Sequence, residues 1–99
     1  MPFKVTQFPR VKAQILTVMK RAAALDISHI CIDALERIQH HLETRPLDWG
    51  DPDFNLVHAG GIACHGIEVP FLVRFSVYEA ENAVCVFDIQ TLPPFPLAE

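Results

Sequence analysis

Beyond residue 50 the chain carries a single Lys or Arg, Arg74, against seven Asp and Glu, a net charge of −6 with His neutral. The first fifty residues hold seven Lys and Arg against five Asp and Glu, a net charge of +2. A surface that grips nucleic acid needs clustered cations to displace counterions from phosphates. The second half cannot supply them, which disfavours RNA as a partner. Cysteine is sparse as well: Cys31, Cys64 and Cys85 are odd in number, widely spaced and form no CxxC. That pattern fits reduced, buried thiols better than a disulfide framework, and with them a cytoplasmic location. No run approaches the roughly 18 uncharged apolar residues of a membrane span, and no basic-then-apolar leader opens the chain. No membrane partner is expected.

What is present is enough for one core. The chain has 99 residues, 51% of them hydrophobic and 20% charged, with a mean hydropathy of +0.23. Two domains would leave each half too small to bury a core, and the composition is too apolar for disorder.

The hydrophobic period changes along the chain. Residues 3–8 alternate, which suits a short strand. Pro9 suits the first turn of a helix, and Val11, Ile15, Val18, Met19, Ala22 and Leu25 form a stripe on one face to about Leu25. Asp26 and Ser28 can each cap a second helix, with the stripe Ile27, Ile30, Cys31, Ala34, Leu35, Ile38 and Leu42, stopped by Pro46. Two or three linking residues make the helices an antiparallel hairpin. Residues 47–53 read as a link rich in turn residues. The period then becomes two: residues 54–59 and 62–65 flank Gly60-Gly61, a short-hairpin signal, and strands over 69–78 and 83–90 follow. The expected fold is α+β, a short N-terminal strand and a helical hairpin packed on one face of a three- to five-stranded antiparallel sheet. It spans residues 1–90, with a proline-rich tail over 91–99.

The last hairpin sets which residues face outward. A loop of three or five residues pairs Arg74 with Asp88 and makes Phe71, Val73, Phe75, Val77, Cys85, Phe87 and Ile89 one apolar face. The other face then holds Leu72, Arg74, Ser76, Tyr78, Val84, Val86, Asp88 and Gln90. It is too apolar to be fully wetted, so Leu72, Tyr78, Val84 and Val86 are candidates for partner contact. Trp49, in the link, either closes an open end of the core or adds to that contact.

Candidate chemistry centres on His58, His65 and Arg74. A two-residue Gly60-Gly61 loop would put both imidazoles on one face as diagonal neighbours, able to serve as general acid and base near neutral pH. The plainer reading is two half-exposed strand histidines. Cys64 cannot join them around a metal without a bulge, because strand neighbours point to opposite faces. No metal or cofactor is expected. His40-His41 with Arg37 and Arg45 reads as a solvated helix end favoured by the dipole. Arg74 reads as a cross-strand partner of Asp88, against a phosphate contact.

The run from Ile30 to Pro46 followed by Gly50-Asp51-Pro52 resembles a passage of the RelE/ParE toxin family, "I..AL..I...L...P..wG.P". Residues 73–77 and 84–87 around the turn 79–82 are similar to that family's closing hairpin. The resemblance covers about residues 3–90. It implies a toxin of a type II toxin–antitoxin pair, neutralised by an antitoxin segment wrapped around it. RelE-like members cut messenger RNA on the ribosome using Lys and Arg on the middle strands and often a Tyr or His near the C-terminus; ParE-like members bind DNA gyrase. At the matching positions this chain has Val57, His58, Ala63, His65, Phe71-Leu72 and Gln90-Thr91-Leu92, and Arg74 alone is cationic. The expectation is therefore a member of that family acting by protein binding, with an antitoxin-like protein or a second copy as partner. The alternatives are a metal-independent endoribonuclease using His58, His65 and Arg74, and a non-toxin homodimeric interaction module.

Overall fold

Strand β1, Lys4–Gln7, is cut short by Pro9, whose fixed φ and missing N–H instead start helix α1, Pro9–Ala24. A computed structural model describes residues 2–93. The stripe expected on α1 faces inward as far as Ala22, with Val11 and Ala22 buried and Ile15, Val18 and Met19 packed against the core, but Leu25 is the C-cap and is exposed. The helix closes on a Schellman turn: Ile27 N–H donates to the Ala22 carbonyl at 2.9 Å and Asp26 N–H to that of Ala23 at 3.2 Å. Asp26 supplies the left-handed residue this turn needs, at φ 58°. It therefore ends α1 and does not cap the next helix. Ile27 occupies that cap position without a side-chain hydrogen bond, and Ser28 is the first residue of α2, Ser28–Thr44. Cys31, Ala34, Ile38 and Leu42 are the buried face of α2.

Pro46 opens a further turn of helix, α3, Pro46–Trp49, where the sequence suggests only a link. Strand β2, Asp51–Leu56, likewise begins inside that link and includes Pro52. An edge position tolerates this proline, because an outward N–H is not needed in a ladder. Strands β3, Gly61–Glu68, β4, Phe71–Tyr78, and β5, Ala83–Thr91, complete a five-stranded sheet in the order β1-β5-β4-β3-β2. It is antiparallel except that β1 runs parallel to β5. The helical hairpin covers one face. Of the expected tail, Thr91 belongs to β5, and residues 94–99 lie outside the described residues.

The β4–β5 hairpin corrects the expected register over half its length. Its loop is four residues, a 3-10 turn at Glu79–Glu81 followed by Asn82 at φ 52°. An even loop pairs Tyr78 with Ala83, Val77 with Val84 and Phe75 with Val86. A bulge then absorbs Phe87, and pairing resumes as Arg74 with Asp88 and Val73 with Ile89. Val84 and Val86, expected on the open face, lie instead in the core at 1% and 5% exposure, while Cys85 and Phe87 are half-buried outside it. The bulge lets one strand serve the core with residues of both parities.

No helix among the described residues is long and apolar enough to cross a membrane.

Candidate functional site

The side of the sheet away from the helices carries a row of polar residues in lateral register. Asp51 pairs with His65, His65 with Arg74, and Arg74 with Asp88, across β2, β3, β4 and β5. Directly paired residues present their side chains to the same face, so Asp51, His65 and Arg74 share the open side. A second bulge sharpens this arrangement. Between Pro52 and Phe54 the β2 register slips by one, leaving Asp53 as the extra residue. Asp53 reaches over β3, and its Oδ1 lies 2.7 Å from His65 Nδ1. With a proton on Nδ1 the Asp53 carboxylate accepts from it, and in that tautomer Nε2 carries the ring's lone pair. Asp51 Oδ2 stands 3.9 Å from that Nε2. His65 is thus oriented by one carboxylate, approached by a second and flanked by a guanidinium one strand away.

Arg74 differs from the expected ion pair. It faces Asp88 across the ladder, but the Asp88 carboxylate is held elsewhere. Its Oδ1 accepts from Gln14 Nε2 at 3.0 Å, its Oδ2 from Gln90 Nε2 at 2.8 Å, and Arg10 Nη2 stands 3.9 Å away. Among the described residues, the exposed Arg74 side chain has no hydrogen-bond or ion-pair partner.

The surroundings of this row are apolar. Phe54 and Ile67 are 59% and 54% exposed, and Leu72 and Tyr78 are half-buried. Ala63 and Ser76, paired across β3 and β4, are small and buried between them. The Tyr78 ring lies across Gly61, where an added Cβ would come within 2.6 Å of it.

His58 does not join this group. The β2–β3 loop is residues 57–60, four residues and not two, with Gly60 N–H donating to the Leu56 carbonyl at 2.8 Å and Gly60 at φ 70°. The exposed His58 sits in that turn, and β3 residue His65 is paired with Asp51, nine residues before the turn ends. The two glycines serve different ends: Gly60 supplies the left-handed turn residue, and Gly61 makes room for Tyr78. Cys64 points to the helix side, away from His65. Burial, aided by the charges of Asp53 and Asp51, pushes its thiol pKa up.

Trp49 is not on the open side either. It closes the end of the core beneath the helices, stacked on Phe75 at 5.7 Å between centroids and on His41 at 4.9 Å, and lying across Gly66. Beside it is a cluster that sequence reasoning missed. Glu68, at the end of β3, accepts from His41 Nε2 at 2.9 Å and pairs with Arg37 Nε at 3.2 Å. Burial works to raise the Glu68 pKa, but the hydrogen bonds and charges of His41 and Arg37 together hold it below the usual carboxylate range. The available signal was the i, i+4 spacing of Arg37 and His41, which puts both on one side of α2. His40, by contrast, remains exposed at the surface. This second cluster fastens α2 to the sheet; the Asp51–His65–Arg74 row is the one that faces outward.

No family model matches the chain, and neither a curated protein nor a solved structure matches it.

Proposed function

We propose that this chain is a divergent member of the RelE/ParE toxin family that acts by binding another protein through the open side of its sheet. The sequence support is the passage from Ile30 to Pro52 and the hairpin over residues 73–87. The observation that carries the mode of action is charge. Among the described residues, Lys4 and Arg74 are the sole Lys and Arg in the five strands, and Lys4 stands level with Ala83 at the far corner. Two cations of the helical layer are already engaged, Arg10 on the Phe87 carbonyl and Arg37 on Glu68. Around Arg74 the open side offers Phe54, Ile67, Leu72 and Tyr78, a mixture of apolar bulk and isolated charge suited to a protein partner. An antitoxin-like protein or a second copy of the chain satisfies that chemistry.

A phosphorane-like transition state needs several donors, each worth about 100- to 1000-fold in rate. The test is to add the purified protein to a translation reaction and map the messenger. Intact messenger is expected. Site-specific cuts that disappear with Arg74→Ala would defeat the binding reading.

A second reading draws on the cross-strand neighbours His65 and Arg74 with Asp53 behind the imidazole. In it His65 removes the proton of a ribose 2′-hydroxyl as that oxygen bonds to the adjacent phosphorus and the bond to the 5′-oxygen breaks. The imidazolium returns the proton to the departing 5′-oxygen and Arg74 holds the phosphate, without His58 and without a metal. It requires that expression arrest growth and that His65→Ala relieve the arrest; arrest unchanged by that substitution sinks it.

A further inference from the structure

We infer that the open side of the sheet pairs with the same side of a second copy, around a two-fold axis running along β3. The inference rests on the reading of this surface as a protein-binding one and names its occupant. The argument begins with the two charges of the row. Asp51 on β2 is 85% exposed in its side chain, and the exposed Arg74 on β4 has no partner among the described residues. They flank β3 on the same lateral line, two strand spacings or about 10 Å apart. A two-fold axis lying along β3 exchanges the positions of β2 and β4. It brings Arg74 over Asp51 of the partner subunit and Asp51 over Arg74 of the partner subunit. One rotation therefore pairs both charges, which is the condition an isologous interface must meet.

The apolar residues follow the same operation. Phe54 lies level with Ala63 and Ser76. The axis carries Phe54 of the partner subunit over β4, on the lateral line of Ala63 and Ser76. Ile67, on β3 itself, meets Ile67 of the partner subunit near the axis. Phe54 and Ile67, the large exposed side chains of the face, then both lie within the overlap.

Pairing through the sheet edge is opposed by that edge itself. Strand β2 is an edge that carries Pro52 and a bulge, each of which interrupts the ladder a second copy would have to continue. Face-to-face packing avoids both obstacles. Its overlap is three strands wide, small for a protein interface, so self-association belongs in the micromolar range. The dimer covers the surface a target would use, and dissociation precedes target binding.

The experiment is sedimentation or light scattering of the full chain over a hundredfold range of concentration, upward from about 5 micromolar. The mass is expected to climb from 11.1 kDa toward twice that value. Arg74→Glu and Asp51→Arg should each weaken association by about tenfold or more, since each places like charges opposite one another twice. An equimolar mixture of the two variants should recover it, because Glu at 74 then meets Arg at 51 and Asp51 meets Arg74. Recovery also shows that both variants are folded. A wild-type mass that stays at one chain throughout, variants that associate as the wild type does, or a mixture that fails to recover each overturns the inference. None of these outcomes touches the translation assay, whose messenger map alone judges the proposed mode of action.

Discussion

Gln14 takes the place of a missing strand beside Ile89: its Oε1 accepts the Ile89 N–H at 3.2 Å. Strand β1 pairs β5 only as far as Val86, because Pro9 turns the chain into α1. The rest of that edge is met by side chains of the helix. Arg10 donates Nε and Nη2 to the Phe87 carbonyl at 2.9 and 2.7 Å, and Gln14 also donates to Asp88. A bulged edge that would otherwise be open to further pairing is thereby closed.

Replacing Gln14 with Leu keeps the bulk and removes both hydrogen bonds. The part-buried Ile89 N–H is left without its acceptor, at an expected cost of about 1–3 kcal/mol. Urea unfolding of the two proteins measures it; a midpoint unchanged by the substitution contradicts the role given to Gln14.

The register of β5 predicts opposite outcomes for neighbouring residues. Val86→Ala empties a site in the core and should cost about 2 kcal/mol, whereas Cys85→Ala should cost well under 1 kcal/mol. The three- or five-residue loop expected from sequence predicts the reverse order. Thermal melts of the pair decide between them.

Gly60 and Gly61 should fail for separate reasons. Gly61→Ala drives a Cβ into the Tyr78 ring and should cost about 1–3 kcal/mol, most of it recovered when Tyr78→Ala is added. Gly60→Ala meets nothing within 4 Å, yet it forces a side chain into a left-handed turn at a cost of about 1 kcal/mol. Tyr78→Ala should not recover that loss. A double-mutant cycle for each glycine reads the difference.

Acid should loosen the tie between α2 and β3. The Glu68 carboxyl titrates below its ordinary range in the folded chain. Its stabilising contribution is therefore present above the ordinary carboxylate pKa and fades as pH falls through the lower folded value. Wild type should exceed Glu68→Gln in stability at pH 7, and the gap should close as pH falls from about 5 toward 3. A gap that stays constant over that range removes Glu68 from the account.

The helices were legible because their information is local. Val11, Ile15 and Val18, and then Cys31, Ala34, Ile38 and Leu42, mark one face at helical spacing, and Pro9 and Pro46 act on the chain wherever they stand. The change to a period of two, the four later strands and the α+β class were readable for the same reason. The pairing of Arg74 with Asp88, expected from an odd loop, is met only because the four-residue loop and the bulge at Phe87 offset each other.

The site was less legible because it depends on single-residue slips. A strand's faces alternate with every residue, so one bulge or one extra loop residue reassigns all that follows. Four residues in each of two loops, and bulges at Asp53 and Phe87, moved Val84 and Val86 inward, took His58 away from His65 and set Asp53 against it. Composition and periodicity determined by themselves that one sheet face would be greasy and the other poor in cations. Which side chains meet on the outer face was decided only by tertiary structure, because the bulges persist where the helices and neighbouring strands make them the best-packed choice.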